Sequence, residues 1–245
     1  MKGRIKSLLL LLMTVVLVGT SAGIEVVAKE TVEASPKAAV AASKPAAGWK
    51  KIGKYTYYFN SKGKKEVNKI VGSTKTGYYY VDKQGKRVTT KEVRQAVSFV
   101  RKYTKPSWSK SKKLKVCYDK LWKKYPYKRS YDGCSAKKMP KFARDMFTKK
   151  KGNCYRYASA FAYIARVIGY DSRVAVGKIG HRGGGTTPHG WTEIKSGRKW
   201  KKCDANMQRS YPKINCYMQT KYRFSRQSCS KRYTLKVSNG KVSWK

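Results

Sequence analysis

Three side chains in the C-terminal half of the chain have the types and order suited to nucleophilic catalysis at a carbonyl. Cys154 opens "CYRYASAFAYIARVIG", an apolar helical pattern preceded by Gly152 and Asn153. Asn is a favoured helix N-cap. The thiol therefore falls at the positive end of a helix, where a thiolate is favoured and unbonded N–H groups can hold a developing oxyanion. His189 begins the alternating stretch "HGWTEI", and Asp204 ends the stretch "RKWKKCD". A turn at Ser196-Gly197 brings these two strands side by side. Asp204 can then accept a hydrogen bond from His189 and leave the other ring nitrogen facing the sulfur, as an activated thiol requires.

Other uses of the same residues compete with this reading. The chain has six cysteines, at 117, 134, 154, 203, 216 and 229. In an exported protein the default is three disulfides, and Cys216 with Cys229 is the pairing we expect. A free Cys154 leaves a second thiol unpaired, and Cys117, on an apolar helical face, suits an inert hydrophobe. No C-x-x-C occurs, and the two histidines are His181 and His189. A structural zinc site is therefore not supported, and neither metal nor cofactor is expected. His181 is the other candidate base. It lies in "HRGGGTTP" (181–188), read as a flexible loop at the mouth of the cleft. That loop lacks the Gly-Lys-Ser/Thr and following helix of a phosphate-binding loop. Trp191 and Trp200 are read as packing residues.

The elements that must position these groups follow from periodicity. Val93, Ala96, Val97 and Val100 share one helical face, ended before Pro106. Leu114, Cys117, Tyr118, Leu121, Trp122 and Tyr125 form a second, closed by Pro126. Pro140 suits the first turn of a third helix carrying Ala143, Met146 and Phe147. Ala158, Phe161, Ala162, Ala165 and Ile168 form a fourth face, which Gly169 ends. Strands follow at 172–179, 189–194 and 198–204, and a closing hairpin turns at Asn239-Gly240. Helices followed by an antiparallel set give an α+β order.

The N-terminus has the character of an export signal. Lys2, Arg4 and Lys6 precede an apolar run from Leu8 to Val18. That run is too short to span a bilayer, which takes about 20 residues, and it matches a signal peptide. Residues 1–28 are assigned to it, with small-residue exits after Ala22 and Ala28, and the product is read as secreted. No later stretch is apolar enough to cross a membrane. Residues 29–47 are rich in Ala, Pro, Ser and Lys and read as a linker. Lys and Arg number 58 against 12 Asp and Glu, a formal net charge of +46. Such a field attracts polyanions, among them anionic wall polymers. No RNP, zinc-finger or basic-zipper pattern occurs, so no specific nucleic acid is expected.

Within 48–90, "YYFNSKGK" (57–64) and "YYVDKQGK" (79–86) repeat one pattern. Each suits a strand, a turn at Asn60 or Asp82, and a positive-φ glycine at Gly63 or Gly85. With Trp49 in "GWKKIGKYTYYF", these stretches resemble the choline- and glucan-binding repeats of Gram-positive surface proteins. That resemblance implies a small β-hairpin appendage, aromatic residues that cage a ligand, and attachment to a Gram-positive cell surface.

The three separated motifs "GNCYRYASAFAYIARVIGYDSRVAVG", "HGWTEI" and "WKKCD" together resemble the transglutaminase-like superfamily. The resemblance covers about residues 140–206, and we assign the domain to 91–245. It implies a papain-like α+β core, with helices packed on an antiparallel sheet. It also implies Cys154 as nucleophile, His189 as general base and acid, and Asp204 as the carboxylate that orients His189. The implied reaction is attack on a carboxamide or peptide carbonyl through a thioester, which passes to an amine (cross-linking) or to water (peptidase or amidase). The substrate is a protein or peptide. With so few acidic residues, no calcium requirement is expected. The alternative is a non-catalytic, wall-attached binding module built on the same scaffold.

Overall fold

The apolar stripes become helices wrapped around one central helix. The computed structural model describes residues 46–180, 183–222 and 224–245. The export signal read at 1–28, nearly all of the 29–47 linker, and His181 lie outside these residues. Strands β1 (Gly48–Ile52) and β2 (Tyr55–Phe59) pair with each other. β3 (Lys69–Ser73), β4 (Gly77–Val81) and β5 (Arg87–Val88) form a second, three-stranded antiparallel sheet. Helices α1 (Lys91–Tyr103), α2 (Lys110–Lys124), α3 (Met139–Lys149) and α4 (Cys154–Ile168) follow.

In α4 every residue except Arg156 is buried. A helix apolar on all sides must be enclosed on all sides. α1, α2 and α3 pack against it, and so do strands of the main sheet. Its alanines at 158, 160, 162 and 165 let these neighbours approach closely. Phe161 and Ile164 are fully enclosed, and each such side chain stabilises the fold by roughly 1.5–3 kcal/mol.

The main sheet comprises β6 (Ser172–Gly180), β7 (Thr186–Ser196), β8 (Lys199–Cys203), β9 (Ser228–Ser238) and β10 (Lys241–Trp244). All neighbours are antiparallel, in the order β10-β9-β6-β7-β8. The last hairpin turns at Asn239 (φ 53°) and Gly240 (φ 71°). Between β8 and β9 lies a short helix, α5 (Ala205–Ser210), for which the sequence showed no periodic signal.

Two expectations are corrected. The stretch 181–188 is not wholly a loop, because β7 already begins at Thr186 and Pro188 pairs across from Lys178. β8 pairs with β7 only from Thr192 to Ser196. One side of β7 is therefore without a strand at Pro188, and the missing N–H leaves no gap in the ladder. The set of three disulfides is not formed either: Cys117, Cys134, Cys154, Cys203 and Cys229 are free thiols, so Cys229 is not bonded to Cys216. Helix and sheet packing supply a core large enough to dispense with covalent staples. Burial pushes the Cys117 thiol up to about 12, which suits an inert, hydrophobe-like residue.

The sheet of β3, β4 and β5 shares this core, where Tyr80 and Val88 are fully buried with residues of α1, α2 and α4. Asn68 Nδ2 donates to Gly169 O (3.2 Å), and Gly240 N donates to Asp82 Oδ2 (2.8 Å). The two copies of the repeated motif adopt the same turn. Asn60 Oδ1 accepts from the N–H groups of Lys62 and Lys64, and Asp82 Oδ1 from those of Gln84 and Lys86. Gly63 (φ 71°) and Gly85 (φ 83°) occupy equivalent left-handed positions.

Candidate active site

Cys154 is the first residue of α4, and Asn153 is its N-cap. The Asn153 side chain accepts from Arg156 N (3.2 Å) and donates to Ser130 O (3.2 Å). Just upstream, Lys128 N donates to Gly152 O (2.9 Å) and Gly152 N to Pro126 O (3.2 Å). Arg156 pairs with Asp132 at 2.7 Å and reaches Asp145 of α3 at 3.5 Å. The helix start and the 126–132 segment are thus clamped together. The Cys154 side chain borders a cavity of about 380 Å³, to which Tyr127, Arg129, Tyr131, Thr187 and Pro188 also contribute. The residue is only 6% exposed.

His189 lies on β7, which is tied to α4 by Thr192 Oγ1 donating to Ala158 O (2.9 Å). Its neighbour Gly190 sets how closely strand and helix approach. A Cβ at this position would lie 2.6 Å from a ring carbon of Tyr155. Gly190→Ala should therefore push β7 away from α4. We expect a loss of about 1–3 kcal/mol of stability in urea denaturation, with slower alkylation of Cys154 because His189 moves with the strand. An alanine variant with unchanged stability and unchanged alkylation would show that this approach does not set the site.

His189 Nε2 and Asp204 Oδ2 are 2.6 Å apart, and both residues are buried. The Cys154 sulfur is near enough to act on the imidazole, and with Nε2 held by Asp204, Nδ1 is the ring nitrogen left for it. Burial acts to lower the imidazole's proton affinity. The Asp204 carboxylate, its hydrogen bond and the Cys154 sulfur outweigh burial and raise His189 from 6.5 to about 10. The site therefore favours an imidazolium between an acid and a sulfur.

Asp204 follows β8 and caps α5, with Oδ1 accepting from Met207 N (2.9 Å). Its backbone is held as well: Asp204 N donates to Cys216 O (2.9 Å), and Tyr118 OH donates to Asp204 O (2.9 Å). The carboxylate has one further partner that sequence reading missed. Tyr222 OH donates to Oδ2, the same oxygen that faces His189. Tyr222 lies in the irregular segment between α5 and β9, where no periodicity marks a position; the aromatic pair Tyr222 and Phe224 is its only signature. Tyr222→Phe is expected to lower the rate of Cys154 alkylation by about tenfold, the worth of a hydrogen bond to a charged group. Far-ultraviolet circular dichroism should be unchanged. An unaltered rate would show that Tyr222 does not help to orient the carboxylate.

Trp191 is fully buried, with ring centroids 6.3 Å from His189 and 5.3 Å from Tyr222. Its Nε1 donates to Glu193 (3.3 Å), so it packs behind the imidazole as expected. Trp200 lies under the Arg173 guanidinium at 4.0 Å. Among the described residues no three His, Cys, Asp or Glu side chains form a cluster able to hold a metal ion. None of their helices is long and apolar enough to cross a membrane.

Comparison with known proteins bears on this site. Residues 96–205 match the model of the transglutaminase-like superfamily. The matched segment runs from within α1 to the residue after Asp204 and contains all three of Cys154, His189 and Asp204. No curated protein matches the chain. Among solved structures, a candidate cysteine protease from Cytophaga hutchinsonii is 18% identical, with 47% of this chain and 36% of that chain covered and a TM-score of 0.34. The periplasmic domain of TgpA from Pseudomonas aeruginosa, bound to ethylmercury, is 18% identical, with 48% and 44% covered and a TM-score of 0.32. The present chain thus spans less than half the length of either. Tyr222 lies beyond the matched segment. Residues 96–205, somewhat under half of the chain, are thus similar to the transglutaminase-like superfamily and lie within a mixed helix and sheet fold.

Proposed function

We propose that the chain is a cysteine enzyme that attacks a carboxamide or peptide carbonyl through Cys154. The observation that carries this reading is the buried, linked arrangement of Cys154, His189 and Asp204. The thiol proton passes to His189, whose imidazolium is favoured by Asp204. The Cys154 sulfur adds to the carbonyl carbon, and the oxyanion faces the N–H of Cys154, which has no acceptor within the helix. His189 then protonates the leaving nitrogen, the C–N bond breaks and a thioester remains. An amine or a water gives its proton to His189 and adds to the thioester carbonyl; the C–S bond breaks and the departing sulfur takes that proton back from His189.

Transfer and hydrolysis separate in one experiment. The mature protein is incubated with a wall fraction and a labelled primary amine. Incorporated label indicates cross-linking chemistry, whereas ammonia or peptides released without label indicate hydrolysis. Equal product from a Cys154→Ala variant would overturn the proposal, and a variant that keeps its wall attachment while wild type itself gives no product would favour the non-catalytic scaffold.

We extend the proposal to location: export through residues 1–28, and retention at a Gram-positive wall through residues 48–90 and the basic surface, with anionic polymers as partners. The matching turns at Asn60 and Asp82 and the net charge of +46 support it. Trp49, Tyr58 and Tyr79 do cluster, with Trp49 5.0 and 5.6 Å from the two tyrosine rings. The chain's own Arg87 lies over Trp49 and Tyr79, at 5.4 and 5.0 Å. An internal cation therefore occupies the place where a choline-type ligand would stack, and this favours an anionic polymer over a quaternary ammonium.

A further inference from the structure

We infer that the cleft beside Cys154 selects an acidic peptide substrate, held by a wall of Tyr127, Arg129 and Tyr131. The inference rests on Cys154 being the nucleophile. Three observations converge on it. First, these side chains line the same cavity as Cys154, with Thr187 and Pro188 also lining it.

Second, the wall is rigid where it adjoins the helix start. Tyr127 bridges to Gly152, Lys128 N donates to Gly152 O, and Ser130 O accepts from Asn153 Nδ2. Ser130 Oγ donates to Asp132, which pairs with Arg156 at 2.7 Å. A loop fastened at Gly152, Asn153 and Arg156 keeps its distance from the sulfur, which makes it a binding surface with little ordering cost.

Third, the outward side of this fastened loop is chemically unusual. Only four large hydrophobic residues are exposed among the described residues, and two of them are Tyr127 (45%) and Tyr131 (91%). Arg129 lies beside both hydroxyls. Among the described residues the charged groups at the cavity rim are Arg129 and Asp132, and Asp132 is already paired with Arg156. Among the described residues no carboxylate pairs with Arg129. An unpaired guanidinium between two exposed tyrosines is the side-chain chemistry of a recognition hot spot, and its fork fits a carboxylate. The group it fits is an acidic residue close to the scissile carbonyl of the acyl donor.

The test compares two alkylating agents of nearly equal size on the full chain. In each, the Cys154 thiolate displaces iodide: the S–C bond forms, the C–I bond breaks, and iodide leaves with the electron pair. Iodoacetamide is neutral, whereas iodoacetate carries the carboxylate that Arg129 should attract. Relative to wild type, Arg129→Gln should lower the ratio of iodoacetate to iodoacetamide rates at Cys154 by about threefold or more at low salt. Lys199→Gln on β8 removes the same charge elsewhere and should leave the ratio as in wild type. An unchanged ratio in Arg129→Gln, or an equal fall in Lys199→Gln, overturns the acidic-substrate inference while leaving the nucleophile reading intact. A Cys154 that reacts no faster than the other thiols, with iodoacetamide, overturns the nucleophile reading itself and this inference with it.

Discussion

Replacing Cys154 with alanine is expected to abolish both label incorporation and amide hydrolysis, by on the order of 10⁴-fold or more. Cys134 packs against the same apolar cluster as Cys154, and burial pushes it up to about 12. It therefore carries little thiolate near neutral pH. The fold should survive, because alanine is small, helix-favouring and compatible with the first position of α4. Intact circular dichroism and a thermal midpoint within a few degrees would show this. Residual activity within about tenfold of wild type would place the nucleophile elsewhere.

The second large effect is expected for Asp204→Asn. The change keeps the shape but removes the charge that favours the His189 imidazolium, and a comparable substitution in a serine triad costs about 10⁴-fold in kcat. We expect a loss of about 10³-fold or more in acylation. The pH dependence has a defined sign. His189 is raised from 6.5 to about 10 in the folded protein. The stability it contributes is therefore fully present below about pH 6.5 and is lost as pH rises through about 10. The Asn variant should lose most of this contribution, so its deficit against wild type in urea should be larger at pH 6 than at pH 10.5. The alkaline limb of activity, set by loss of the imidazolium proton, should also move down from about pH 10. A deficit independent of pH, together with an unmoved alkaline limb, would show that the carboxylate does not control the His189 proton.

The chain shows clearly which features a sequence exposes. The four helices were legible because their stripes are continuous and their ends are marked by Pro106, Pro126, Pro140 and Gly169. Cys154 was legible because Asn153 marks a helix start. Residues 186–188 were misread because Gly and Pro signal local breaks, and only β6 beside them shows that a strand can begin there. The disulfide expectation failed because spacing carries no information on whether two sulfurs meet. Tyr222 was invisible because its role depends on a contact with Asp204 that no local pattern encodes.

By itself the sequence determined the helix stripes, the strand alternation and the order of Cys154, His189 and Asp204, since these depend on periodicity and capping over a few residues. Only the tertiary structure decided that Gly190 lets β7 approach α4, that Tyr222 shares an oxygen of Asp204 with His189, and that Arg129 is left without a carboxylate beside the sulfur. Each of these depends on distances between residues far apart in the chain, set by how the whole core closes rather than by any local preference.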